Sequence, residues 1–190
     1  MTAGSGILHK EFHEKEFSKK VGPFEMIQLW INLPMKDKLT TPKYQALIAS
    51  EINKVVLPGD SGIVRVIAGN FNDVKGSAST FTNINMFDIH LNKGGKMVTD
   101  IPAFHNTAIL VVDGAIEVND EKAGEHNFIL FKNQGETITI NATEKSVLLL
   151  LSGEPINEPI AQYGPFVMNT QQELQETFRE YQDGKFGELH

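Results

Sequence analysis

The feature that most constrains this chain is a series of short β-branched or aromatic segments, recurring roughly every ten residues between Ile63 and Leu151. Ile63-Val-Arg-Val-Ile-Ala68 and Met86-Phe-Asp-Ile-His-Leu91 have strand length and strand composition, and glycines bracket them. Thr107-Ala-Ile-Leu-Val-Val112 and Ala115-Ile-Glu-Val118 flank Asp113-Gly114. That pair suits a two-residue type I′ hairpin, in which both central residues need φ > 0. Asn127-Phe-Ile-Leu-Phe131, Glu136-Thr-Ile-Thr-Ile140 and Val147–Leu151 complete the series. Along Glu136–Ile140 the apolar residues alternate, so one face meets a core and the other meets water. The pattern predicts an all-β sandwich or barrel.

The ends of the chain read differently. Thr170-Gln-Gln-Glu173 is a capping box and predicts a helix over 169–183. Leu174, Phe178 and Tyr181 form its apolar stripe, expected to dock on a barrel wall, and Gly184 can end it in the left-handed region. Met26-Ile-Gln-Leu-Trp-Ile-Asn-Leu33 alternates well enough to predict a strand, which Pro34 stops. Lys36 to Pro42 is a charged connector, and Lys43–Ile52 is either a helical turn or an irregular crossing. Pro58-Gly-Asp-Ser-Gly62 is a turn and the expected boundary between domains at 1–57 and 58–190.

Composition narrows the function classes. With 24 acidic against 17 basic residues the net charge is −7, which argues against direct nucleic-acid binding. The chain has no Cys, so disulfide and thiolate chemistry are excluded. The longest apolar run, Ser146 to Ser152, is too short to span a bilayer, and the first residues lack the features of a signal peptide. The expectation is a cytoplasmic protein with no membrane partner.

Gly95 to Gly114 fits the frame of the cupin hairpin, a pattern shared by many metal-binding β-barrels: Gly, five residues, His-x-His, three or four residues, Glu, six residues, Gly. Ile101 and Ala103 occupy the two His positions and Thr107 the Glu position. The scaffold glycines remain, but each ligand is replaced by a residue that does not bind a divalent cation. His105 lies two residues past the second His slot and reads as a hydrogen-bonding histidine. His90 and His126 read as structural or solvated. The carboxy-terminal barrel is therefore expected to bind no metal.

Ligand chemistry is confined to Ile7-Leu-His-Lys-Glu11. In a strand, residues i and i+2 share a face, so His9 and Glu11 would project together. An imidazole beside a carboxylate suits Fe(II), Mn(II) or Zn(II). His13 would join them only if the strand continued, and the charged residues around it suggest a polar loop instead.

These residues resemble the pirin family of bicupins. Met1 to Glu11 looks like the segment that closes the metal site of the family's amino-terminal barrel. Gln28-Leu-Trp-Ile-Asn-Leu-Pro34, followed by Pro42, Tyr44 and Gln45, is similar to its next strand. Ser152-Gly-Glu-Pro-Ile-Asn-Glu-Pro159 and Gln162-Tyr-Gly-Pro-Phe-Val-Met-Asn-Thr170 are similar to its carboxy-terminal signature. The resemblance implies two cupin (jelly-roll) barrels and a mononuclear Fe(II), or another divalent metal, held by three His and one Glu.

His9 and Glu11 match the last two of those ligands. The other two lie in an upstream His-x-His hairpin that this sequence lacks. The chain thus reads as a bicupin remnant, the expected result of truncation, with strand edges open to homo-oligomerisation. The function implied is quercetin 2,3-dioxygenase-type chemistry on a flavonol, with Glu11 also placed to take the flavonol hydroxyl proton. The alternative is a non-enzymatic regulator that binds transcription or metabolic proteins.

Overall fold

The computed structural model describes residues 1–12, 15–20, 22 and 24–188, the side chains of Lys15 and Glu16 excepted. These residues form two compact units: Gln45–Pro155, and Met1–Tyr44 together with Ile156–His190.

The Gln45–Pro155 unit is a two-layered jelly roll. Its strands are β1 (Asn53–Leu57), β2 (Gly62–Ala68), β3 (Asn70–Phe71), β4 (Val74–Lys75), β5 (Ile84–Leu91), β6 (Lys96–Asp100), β7 (Asn106–Asp113), β8 (Ala115–Val118), β9 (Glu121–Gly124), β10 (Phe128–Leu130), β11 (Thr137–Ala142) and β12 (Ser146–Gly153). One antiparallel sheet has the order β1-β2-β5-β12-β7-β10, and the other has the order β6-β11-β8-β9. Alternate residues of each strand point inward, as a half-buried sheet requires. Val64, Phe87, Ile89, Ile109 and Leu148 from the larger sheet meet Ile116, Ile138 and Ile140 from the smaller in one core. Each seven- or eight-residue strand of the larger sheet thus buries three or more apolar side chains.

Two turns differ from expectation. Asp113-Gly114 joins no hairpin: β7 pairs with β12 and β10, whereas β8 pairs with β11 and β9. The chain there crosses from one sheet to the other. Only Gly114 of the pair has positive φ, at 85°. A Cβ at Gly114 would collide with the Lys145 carbonyl, so glycine answers a close approach as well as a backbone angle. The two two-residue hairpins of this unit are built on Asn-Asp instead. Asn119 and Asp120 have φ of 46° and 70° between β8 and β9, and Asn72 and Asp73 have 48° and 64° between β3 and β4. Asn and Asp tolerate the left-handed region because their short polar side chains bond locally. Pro58–Gly62 is likewise a hairpin turn, joining β1 to β2.

The second unit holds a short helix, α1 (Lys15–Ser18), a hairpin of β13 (Ala161–Tyr163) and β14 (Phe166–Met168), and α2 (Gln171–Gln182). The capping box forms as expected. The Thr170 hydroxyl accepts from the Glu173 N–H at 3.2 Å, and the Glu173 carboxylate accepts from the Thr170 N–H at 2.8 Å. The stripe of α2 meets the β13–β14 hairpin: Leu174 packs with Ala161 and Met168, and Phe178 lies edge-on to Phe166 and Tyr163.

Met26–Leu33 belongs to no strand. A strand exists only through hydrogen bonds to a partner, and no described residue bonds to this stretch of backbone. Ile7–Glu11 also lies outside any strand; the nearest pairing is an isolated antiparallel bridge between Thr2 and Lys43. Residues 43–52 form an irregular crossing rather than a helical turn. No described helix is long and apolar enough to cross a membrane.

Candidate functional site

The segment carrying His9 and Glu11 is held by backbone hydrogen bonds at three points. Thr2 and Lys43 exchange bonds of 2.8 and 3.0 Å, Ser5 N–H donates to the Thr40 carbonyl at 2.8 Å, and Leu8 N–H donates to the Phe186 carbonyl at 3.0 Å. Gly6, with φ of 111°, lies flat against Phe186; a Cβ there would stand 2.5 Å from the ring. Beyond Leu8 the chain emerges into solvent. His9 Nδ1 lies 3.9 Å from Glu11 Oε1, and the two side chains are 39% and 57% exposed.

The types of donor, imidazole nitrogen and carboxylate oxygen, fit a borderline divalent cation. Their number does not. Among the described residues no group of three or more His, Asp or Glu side chains converges, so the pair is an open, two-ligand arrangement. His13 lies outside the described residues.

A buried polar cluster fixes the connector that follows Pro34. Lys38 is 6% exposed, and its ammonium donates to Asn32 Oδ1 at 2.7 Å. Burial pushes that ammonium below its ordinary value, and the carboxylates of Glu158 and Glu173 pull it back. Glu158 accepts from the Met35 N–H at 2.6 Å and from Asn169 Nδ2 at 3.2 Å. The Thr170 hydroxyl holds the Glu173 carboxyl below the usual carboxylate range. Sequence reasoning missed this cluster because Met35 and Glu158 are 123 residues apart. The apparent charged connector was its one local trace.

The other histidines are in structural settings. His105 is 6% exposed, its Nδ1 lies 2.8 Å from Ser152 Oγ, and its carbonyl accepts from Asn133 at 2.9 Å. His90 Nε2 lies 2.9 Å from Asp88, which also pairs with Arg65 on the outer face of the larger sheet. His126 is largely exposed beside Glu125. Around the erased ligand positions, Ile101, Ala103 and Thr107 line a cavity of about 30 Å³. That has room for about two or three waters, far below the ~300 Å³ of a typical small-molecule pocket.

Two facing antiparallel sheets, with Gly95–Gly114 running from β6 in the smaller sheet to β7 in the larger rather than forming the expected hairpin, define a cupin-type barrel. Residues 86–187 match the family described as the pirin C-terminal cupin domain, and the chain belongs to the pirin family. It is similar over its whole length to longer proteins. The crystal structure of a quercetin 2,3-dioxygenase from Acinetobacter baumannii is 43% identical, with a TM-score of 0.93 over 99% of this chain and 66% of that one. A Pseudomonas aeruginosa protein, provisionally named a quercetin 2,3-dioxygenase, is 39% identical over 100% of this chain and 66% of its own. Pirin-1 of Arabidopsis thaliana is 35% identical over 98% of this chain and 63% of its own. The chain therefore spans just under two thirds of the length of these relatives.

Proposed function

We propose that this chain carries part of a quercetin 2,3-dioxygenase-type site, with His9 and Glu11 as two of the ligands of a divalent metal, Fe(II) or a similar cation. The supporting observation is the His9–Glu11 pair at 3.9 Å, in a chain 43% identical to the Acinetobacter enzyme. In this reading the substrate is a flavonol. Glu11, exposed at the end of its anchored segment, is the base that takes the flavonol hydroxyl proton, a role that requires reach above all. Residues 1–57 then represent part of an amino-terminal cupin domain and 58–190 the carboxy-terminal one, as inherited segments rather than contact units.

Metal titration of the purified chain with Fe(II), Ni(II) and Zn(II) tests the ligand assignment. Two protein ligands give weak binding, and His9→Ala or Glu11→Ala should each weaken it at least tenfold. Unchanged affinity in both variants would remove the assignment. Quercetin turnover that survives Glu11→Gln undiminished would remove the base. The second reading, a regulator that binds other proteins, draws support from the apolar residues exposed between Met26 and Ile31.

A further inference from the structure

We infer that the mouth of the Gln45–Pro155 barrel is a binding site for a formate-sized carboxylate, with His105 and Thr107 at its floor and Lys132 at its rim. The site begins where the core ends. On β7 the inward column of Val111 and Ile109 passes to Thr107, and on β12 that of Leu148 and Leu150 passes to Ser152. Thr107 and Ser152 are register partners, so two hydroxyls replace apolar side chains at one level of the inner face. His105 joins them from the loop before β7, its Nδ1 2.8 Å from Ser152 Oγ. Its own N–H donates to the Pro102 carbonyl at 2.9 Å, and its carbonyl accepts from Asn133, so the loop holds the ring in place.

Two polar groups there are unspent. His105 and Thr107 are 6% and 5% exposed, yet among the described residues neither His105 Nε2 nor Thr107 Oγ1 has a hydrogen-bond partner. Buried polar groups ordinarily have one, and both residues line the cavity of about 30 Å³. Three features select a carboxylate as the occupant. First, room for about two or three waters matches the size of formate. Second, the buried Ser152 hydroxyl has no described partner except Nδ1, so donating there is what spends its proton. Nε2 then carries the ring proton, and the imidazole and the Thr107 hydroxyl both donate into the cavity. Third, the Lys132 side chain lines the rim and pairs with no described carboxylate. Glu136 lines the same rim and opposes an anion, which sets the expected affinity in the millimolar range.

Sodium formate exchanged for sodium chloride at constant ionic strength tests the site in the 190-residue chain. NMR should show saturable shifts of the His105 ring and the Thr107 methyl group. Formamide, which has the size of formate without its charge, should bind at least tenfold more weakly. Thr107→Val keeps the side chain's shape and should fold as the wild type does, while formate affinity falls about tenfold. Lys132→Gln should weaken binding about threefold and Glu136→Gln should tighten it about threefold, the modest effects of exposed charges. His9→Ala should change nothing, which separates this site from the metal ligands proposed above. Shifts that are absent, or still linear at ~100 mM formate, would overturn the inference. So would formamide binding as tightly as formate, full affinity in Thr107→Val, or rim variants that move the affinity in the opposite directions.

Discussion

β12 and Met26–Leu33 are similar stretches of sequence with opposite fates. Both are about eight residues long and rich in Leu or Ile, and each ends at a residue that breaks the pattern. β12 lies between β5 and β7 and bonds to both, and Leu148 and Leu150 are fully buried. Met26–Leu33 pairs with no strand among the described residues, and Met26, Trp30 and Ile31 are each more than half exposed. Hydrophobic alternation thus specifies what a segment will do when a partner strand arrives, not whether one does. The energy of a strand resides in the pair.

Core truncation should separate the two regions most sharply. Phe87→Ala, in the strand beside β12, should cost about 3–5 kcal/mol in urea unfolding followed by circular dichroism. Trp30→Ala should change the monomer's unfolding free energy by less than ~0.5 kcal/mol. Equal costs would erase the distinction between the regions. Asp88→Ala comes next, because it leaves the Arg65 guanidinium and the His90 ring without the carboxylate they share on the outer face of the sheet; the expected loss is about 1–3 kcal/mol. Gly6→Ala forces a methyl group toward the Phe186 ring and should cost roughly 1–3 kcal/mol. It should also weaken metal binding at His9 and Glu11 while leaving a Gln45–Pro155 core reporter such as the Phe87 amide protected from hydrogen exchange.

The smallest effect is at the helix cap. Thr170→Ala should cost about 1 kcal/mol. The Glu173 carboxyl is held below its ordinary value. Its contribution is therefore present above the ordinary carboxylate range and lost as pH falls through the lowered folded value. In the Thr170→Ala variant that acid-side dependence should flatten. A pH–stability profile with the wild-type slope would detach the hydroxyl from the carboxyl's titration.

Much of the barrel was legible because its strands repeat and alternate: β2, β5, β7, β8, β10, β11 and β12 each lie within two residues of the predicted segments at both ends. Turn chemistry was less so. Asp113-Gly114 has the composition of a tight hairpin but serves a change of sheet, and a local pair of residues carries no information about which sheet follows. Asn119-Asp120 makes the hairpin that Asp113-Gly114 does not, and neighbouring charged residues hid it among polar loop signals. Near the candidate site, the spacing of His9 and Glu11 brought both to notice through an assumed strand that does not form. The anchors at Thr40, Lys43 and Phe186, tens of residues or more away, hold that segment as far as Leu8, and no local pattern encodes them.

The retained Gly114, beside ligand positions filled by Ile101, Ala103 and Thr107, has a consequence for how such barrels change. Backbone clearance at the sheet crossing is a demand of geometry, whereas imidazole and carboxylate at those three positions are a demand of chemistry. The two can be lost independently. A segment that has the first without the second separates the barrel's fold from any metal chemistry at Ile101, Ala103 and Thr107.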